Sequence, residues 1–90
     1  MYFLDTRNFT VTYNGNGYTG GSVPIDPTLY APGTQITLPG QGSLVKAGYD
    51  FGGWRVNDTG PVAGSPYTIP NSNTTFFAIW EPDIVPEVNR

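Results

Sequence analysis

The segment KAGYDFGGW, residues 46–54, constrains the fold more than any other part of the chain. Side chains alternate between the two faces of a β-strand, so Trp54 in a regular strand would lie on the face opposite Phe51. One extra residue at Gly52-Gly53 would form a β-bulge and return Trp54 to the side of Phe51. Glycine suits such a bulge because it adopts left-handed backbone conformations at little cost. The segment therefore predicts a bulged strand whose rings belong to the core.

The composition leaves aromatic burial as the main source of stability. The chain has 90 residues with no cysteine and no histidine. Disulfides, zinc sites of the Cys/His kind and histidine-based catalytic triads are therefore excluded. Two Trp, six Tyr and five Phe residues remain, and each ring buries a large apolar area. This length predicts one domain with a small core.

The charge balance argues against two classes of partner. Only 12% of residues are charged and the net charge is −3, so the chain lacks the basic surface that binds nucleic acid or an anionic membrane. No segment is long and apolar enough to span a bilayer. The first residues lack the basic and apolar regions of a signal peptide. Export, which the Thr-, Asn- and Gly-rich composition favours, would therefore require the chain to be part of a longer protein.

Four segments carry strand signals, at residues 9–13, 34–38, 49–56 and 74–80. The first alternates strictly, with Phe9, Val11 and Tyr13 on one face. It is followed by two Asn-Gly pairs at 14–17, which tolerate the positive φ of a turn. The second places Ile36 and Leu38 inward. These segments predict a sheet of about four strands.

One segment carries a helix-start signal. Asp26 is a preferred N-cap residue, and Pro27 fits the first helical position. In such a helix Ile25, Leu29 and Tyr30 could face the core, and Ala31-Pro32-Gly33 would end it. We therefore expect one short helix or helical turn and an α+β class that is mostly β.

The last strand has bulky side chains on both faces. One face carries Thr75, Phe77 and Ile79, and the other carries Phe76, Ala78 and Trp80. Covering both faces is difficult in so small a domain, so one of these rings is expected to be partly exposed. The exposed ring could then contact a partner.

Five motifs occur in order along nearly the whole chain. They are VTYNGNG at 11–17, GSVP at 21–24, YAPGT at 30–34, GYDFGGW at 48–54 and TFFAIW at 75–80. Together they resemble the internalin-type B repeat, also called the Listeria–Bacteroides repeat. The residue before the final Trp is commonly polar in that family, whereas here it is Ile79. That departure predicts a local apolar patch, which could contact a neighbouring module.

The resemblance implies a small β-grasp-like, ubiquitin-like module of secreted or wall-attached bacterial proteins, often present in tandem. It implies no catalytic residue and no cofactor. We assign residues 9–81 to the module, 1–8 to a lead-in and the acidic, Pro-containing 82–90 to a linker. The expected structural residues are Val11, Tyr13, Ile36, Leu38, Tyr49, Phe51, Gly52, Gly53, Trp54 and Phe77.

Two functions remain open at this point. The first is a non-catalytic spacer or stalk that contacts neighbouring modules of the same chain. The second is an adhesion module that binds cell-wall or host glycans, or a host surface protein, through exposed side chains. Its candidate contacts are Tyr18, Tyr67, Phe76, Ile79 and Trp80.

Catalysis and metal binding have weaker signals. The seven Asp and Glu residues are scattered over turns and tails, and the chain has neither a phosphate-binding loop nor a nucleophile elbow. Asn57-Asp58-Thr59-Gly60 offers oxygen donors but lacks the spacing of a calcium-binding loop. We therefore expect no enzyme activity, no cofactor and no metal.

Overall fold

Six strands form the fold in the computed structural model, which describes residues 8–83. In chain order they are β1 (Phe9–Asn14), β2 (Asp26–Tyr30), β3 (Gln35–Ile36), β4 (Tyr49–Val56), β5 (Tyr67–Thr68) and β6 (Thr74–Pro82). No residue in the described range is helical. The strands expected near residues 9, 49 and 74 are confirmed, whereas the one expected at 34–38 is shorter.

The strands form two sheets. The larger has the order β2-β1-β6-β4, and the smaller pairs β3 with β5. β1 and β6 are parallel, with Val11 opposite Thr74 and Asn14 opposite Phe77. The other pairs of neighbouring strands are antiparallel. The first and last strands of the module are therefore side by side at the centre of the larger sheet.

The core lies on one face of the larger sheet. Buried side chains of β1, β4 and β6 meet residues from the smaller sheet and from the loops, namely Ile36, Leu44 and Ile69. Tyr67 of β5 packs edge-on against Phe76, with their ring centroids 4.9 Å apart. The smaller sheet and the loop at Leu44 thus cover this face.

The predicted bulge in β4 is confirmed. Phe51 is opposite Trp80 and Trp54 is opposite Ala78, so three steps along β4 match two steps along β6. Gly53 has φ of +110°, a conformation that disfavours any residue with a side chain. The bulge brings Trp54 against Phe51, with ring centroids 5.2 Å apart.

The expected helix, and with it the α+β class, is wrong. Residues Asp26–Tyr30 form strand β2, and the described chain is all-β. The Asp26 carboxylate accepts hydrogen bonds from the Thr28 N–H and the Tyr30 hydroxyl. These bonds imitate a helix cap while the backbone stays extended. Pro27 is tolerated because β2 is an edge strand that pairs only with β1.

Two of the side chains assigned to the inner face of that helix are corrected as well. Ile25 is 87% exposed, and Leu29 is also exposed. Ile25 precedes β2, and Leu29 lies on the face opposite its neighbour Tyr30, which packs partly buried against the core.

The proposed module boundaries remain a prediction. β6 extends through Pro82, the first residue of the expected linker. Residues 1–7 of the lead-in and 84–90 of the linker lie outside the described residues.

Candidate functional site

A cleft of about 550 Å³ opens beside β1. It separates that strand from the segment that leads into β2. Its lining combines hydroxyl groups, apolar side chains and one carboxylate: Thr10, Val11, Thr12, Tyr13, Tyr18, Gly21, Ser22, Val23, Pro24, Ile25, Asp26 and Pro27. The lining chemistry suits a small polar ligand with one apolar face.

Glycine positions one wall of the cleft. Any side chain at Gly15 would collide with the ring of Tyr18, and one at Gly21 would collide with the Ser43 carbonyl. These two glycines therefore let the 18–22 segment approach the neighbouring backbone closely. Tyr18 is 43% exposed, so its ring is the accessible aromatic surface of the cleft.

Asp26 is the carboxylate in the lining of the cleft. Its carboxylate accepts a 2.6 Å hydrogen bond from the Tyr30 hydroxyl, which lowers the pKa of Asp26 and raises that of Tyr30. Burial raises the pKa of Tyr13 to about 12, and the negative charge of Asp26 adds to this shift. The cleft lining therefore combines the Asp26 carboxylate with the Tyr13 phenol, which stays protonated at neutral pH.

We expect the protein to lose stability in alkali through Tyr13. Its pKa is raised from 10.0 to about 12 in the folded state, so its contribution is complete below pH 10 and declines as pH rises through 12. The full effect is roughly 2–3 kcal/mol. Urea unfolding between pH 8 and 12 measures it.

A Tyr13→Phe variant tests the source of that dependence. It keeps the buried ring and removes the phenol, so its stability should fall less steeply above pH 10. Some loss of stability above pH 10 should remain in this variant, because the pKa of Tyr30 is also raised. Tyr49→Phe is the matched control and should behave like the parent protein. An unchanged slope in Tyr13→Phe would contradict this assignment.

Among the expected ligand-contact residues, Phe76 is corrected. Its side chain is fully buried. It stacks on Tyr13 at 5.4 Å and meets the edge of Tyr67. Phe76 faces the core because it lies on the same face of β6 as Ala78, beneath the smaller sheet. Its ring therefore offers no surface to a ligand.

Tyr67 and Trp80 are half-buried and engaged within the module. Tyr67 packs on Phe76. The Trp80 indole N–H donates to the Gly15 carbonyl at 2.8 Å, and its ring meets the edge of Phe51 at 5.7 Å. Each ring keeps only part of its surface for an outside partner.

Ile79 lies on the opposite face of the larger sheet. Phe77 and Thr75 share that face of β6, and all three are half-buried. Asn14 of β1 and Arg55 of β4 flank Phe77 in the paired strands. The face is therefore a narrow apolar strip between polar neighbours.

The expected structural residues differ in how deeply their side chains are buried. Val11, Tyr13, Ile36 and Trp54 are buried, and Leu38 and Phe51 pack partly buried against them. Two assignments need correction. Phe77 is half-buried on the outer face. Tyr49 is 39% exposed, and its ring is covered by the Lys46 ammonium, 4.3 Å from the ring centroid.

The cleft was not predicted from the sequence, although it contains Tyr18. Leu44, which is fully buried, was also missed as a core residue. A usable signal existed for the cleft, because the Gly-rich 15–21 segment precedes two prolines, Pro24 and Pro27, at the start of β2. Glycines so placed often permit close backbone approach.

Residues 8–83 contain no group of three or more acidic side chains placed to hold a metal ion. The turn at Asn57 has φ of +61° and returns the chain from β4, with its N–H bonded to the Thr75 carbonyl. Across the same residues no helix is long and apolar enough to cross a membrane.

Two similar proteins come from Evansella cellulosilytica. One, named "Putative Gly-rich membrane protein", is 29% identical over 79 residues, which is 83% of this chain and 9% of that protein. The other, named "Putative membrane protein", is 31% identical over 78 residues, which is 82% of this chain and 12% of that protein. The chain thus spans about a tenth of the length of these relatives.

The family comparison covers most of the module. The Listeria-Bacteroides repeat domain matches residues 9–79, from the start of β1 to near the end of β6. Every strand of the structure lies at least partly within the matched range. The chain belongs to the Listeria-Bacteroides repeat domain family.

Proposed function

We propose that the chain is a non-catalytic repeat module that acts as a spacer in a larger bacterial surface or secreted protein. The observation that carries this proposal is how small a part of its relatives the chain matches. The match covers 9% and 12% of the length of two proteins named as membrane proteins. A unit of this size within such long chains fits one element of an extended array. Its partners are then the neighbouring modules, and its place is extracellular or wall-attached.

The use of the aromatic rings supports a structural role. Tyr13, Trp54 and Phe76 are buried together. Both indole N–H groups donate to backbone carbonyls, Trp54 to Pro39 and Trp80 to Gly15. The buried rings and both indole N–H groups find their partners inside the module, so its own folding accounts for them.

The cleft favours adhesion as a second candidate function. An exposed tyrosine ring beside a carboxylate and several hydroxyls can stack on a sugar and hydrogen-bond its hydroxyl groups. Tyr18 provides the ring and Asp26 the carboxylate. The net charge of −3 disfavours strongly anionic glycans among the ligands.

A titration followed by amide and indole NMR separates the two functions. Purified bacterial wall polysaccharide and a glycosaminoglycan are added in turn to the isotope-labelled chain. The spacer role predicts unmoved signals with both. Saturable shifts around Thr12, Tyr18 and Asp26 that disappear in Tyr18→Ala would instead establish a binding module. Tyr49→Ala, which removes an exposed ring outside the cleft, is the matched control.

A further inference from the structure

The first and last strands of the module are placed to oppose tension. The chain enters β1 at Phe9 and leaves β6 at Pro82. Because the two strands are parallel neighbours, its points of entry and exit lie at opposite ends of the pair. Tension between the chain ends therefore draws β1 and β6 past each other along their own length.

This direction of load affects the whole β1–β6 contact together. Hydrogen bonds between strands run across the sheet, so sliding one strand along its neighbour strains every bond at once. The register pairs Val11 to Asn14 with Thr74 to Phe77. Pulling the strands apart sideways would instead break those bonds one after another, starting at one end.

Side-chain hydrogen bonds extend the contact beyond the paired residues. At the start of the pair, the Thr10 N–H donates to Asn73 Oδ1 at 2.8 Å. Past its end, Asn16 Nδ2 donates to the Ala78 carbonyl at 2.9 Å. The Trp80 indole donates to the Gly15 carbonyl at 2.8 Å. β1 and the turn after it are thereby tied to β6 over most of its length.

The other side of β6 is also held. β4 pairs with it from Tyr49, opposite Pro82, to Val56, opposite Phe76. The residue at which tension enters β6 is thus inside a paired segment. Tension reaches the β1–β6 contact without first peeling β6 from the sheet.

We propose that the β1–β6 pair is a load-bearing clamp, so that the module resists unfolding when a surface protein is pulled from its two ends. The biological setting rests on the spacer role proposed above, whereas the mechanical property belongs to the fold itself. A stalk built from such modules would keep its folded length under tension, which an unstructured linker does not.

Force spectroscopy in two pulling directions tests the clamp. The full chain contains no cysteine, so two introduced cysteines are unique attachment points. Asn8→Cys with Asp83→Cys loads the pair lengthwise. Asn8→Cys with Ser72→Cys places both attachment points at the same end of the pair and separates the strands sideways. All three sites are exposed. We expect a several-fold higher unfolding force in the first direction, and equal forces would overturn the proposal.

A second pair of variants tests the side-chain ties. Asn16→Asp removes the amide donor to Ala78, and Asn57→Asp is the matched control, since both asparagines have positive φ. Under constant lengthwise force, Asn16→Asp should shorten the folded lifetime roughly fivefold, the rate equivalent of one hydrogen bond. The control should match the parent. Equal lifetimes of the two variants would show that the Asn16 side-chain hydrogen bond does not contribute to the clamp.

The clamp and the spacer role fail in different experiments. Low, direction-independent unfolding forces would overturn the clamp and leave the NMR titration unaffected. Saturable glycan binding would overturn the simple spacer and leave the unfolding forces unchanged.

Discussion

Replacing Phe76 with alanine is expected to destabilise the protein by about 3–5 kcal/mol. The side chain is fully buried and packs against Tyr13 and Tyr67. Its removal exposes those rings to a cavity that the sheet cannot close. A domain of this size is stable by roughly 5–13 kcal/mol, so the loss is a large part of the total. Urea unfolding followed by tryptophan fluorescence measures it.

Phe77→Ala is the matched control for this measurement. The same residue type occupies the next position of β6, half-buried on the outer face. Its removal should cost only about 1 kcal/mol, because little packed volume is lost. Similar losses in the two variants would mean that the outer face is packed as closely as the core, contrary to the structure.

This pair of residues shows where sequence reasoning reaches its limit. Alternation assigns Phe76 and Phe77 to opposite faces of β6, but it cannot say which face is inside. That choice depends on the pairing of β6 with β1, whose partner residues are about 63 positions apart. Phe76 was therefore expected at the surface and Phe77 in the core, the reverse of their observed environments.

Features set by neighbouring residues were predicted well. β1 follows from strict alternation, and the β4 bulge follows from the backbone freedom of glycine. The helix predicted at Asp26 was wrong because a hydrogen bond from the Thr28 N–H to the Asp26 carboxylate is compatible with both a helix start and an extended backbone. The outcome was decided by pairing with β1 and by the Tyr30 hydroxyl. The cleft also depends on packing between distant segments, so only Tyr18 was anticipated.

Substituting Gly53 with alanine should cost about 1–3 kcal/mol, because φ of +110° strains any residue with a Cβ. Steric collision does not contribute, since no atom lies within 4 Å of a Cβ built at this position. Gly64→Ala is the matched control. Gly64 has equally open surroundings and is not among the positive-φ glycines. The control should be neutral or slightly stabilising.

Deleting Gly53 should be less harmful than substituting it. Without this residue, Phe51 and Trp54 are two positions apart, and a regular strand places both on the core face. The pairings of Phe51 with Trp80 and of Trp54 with Ala78 then need no bulge. We expect a cooperative fold in which Trp54 stays shielded from fluorescence quenchers. An unfolded deletion variant would show instead that the bend introduced by the bulge is itself required for the core.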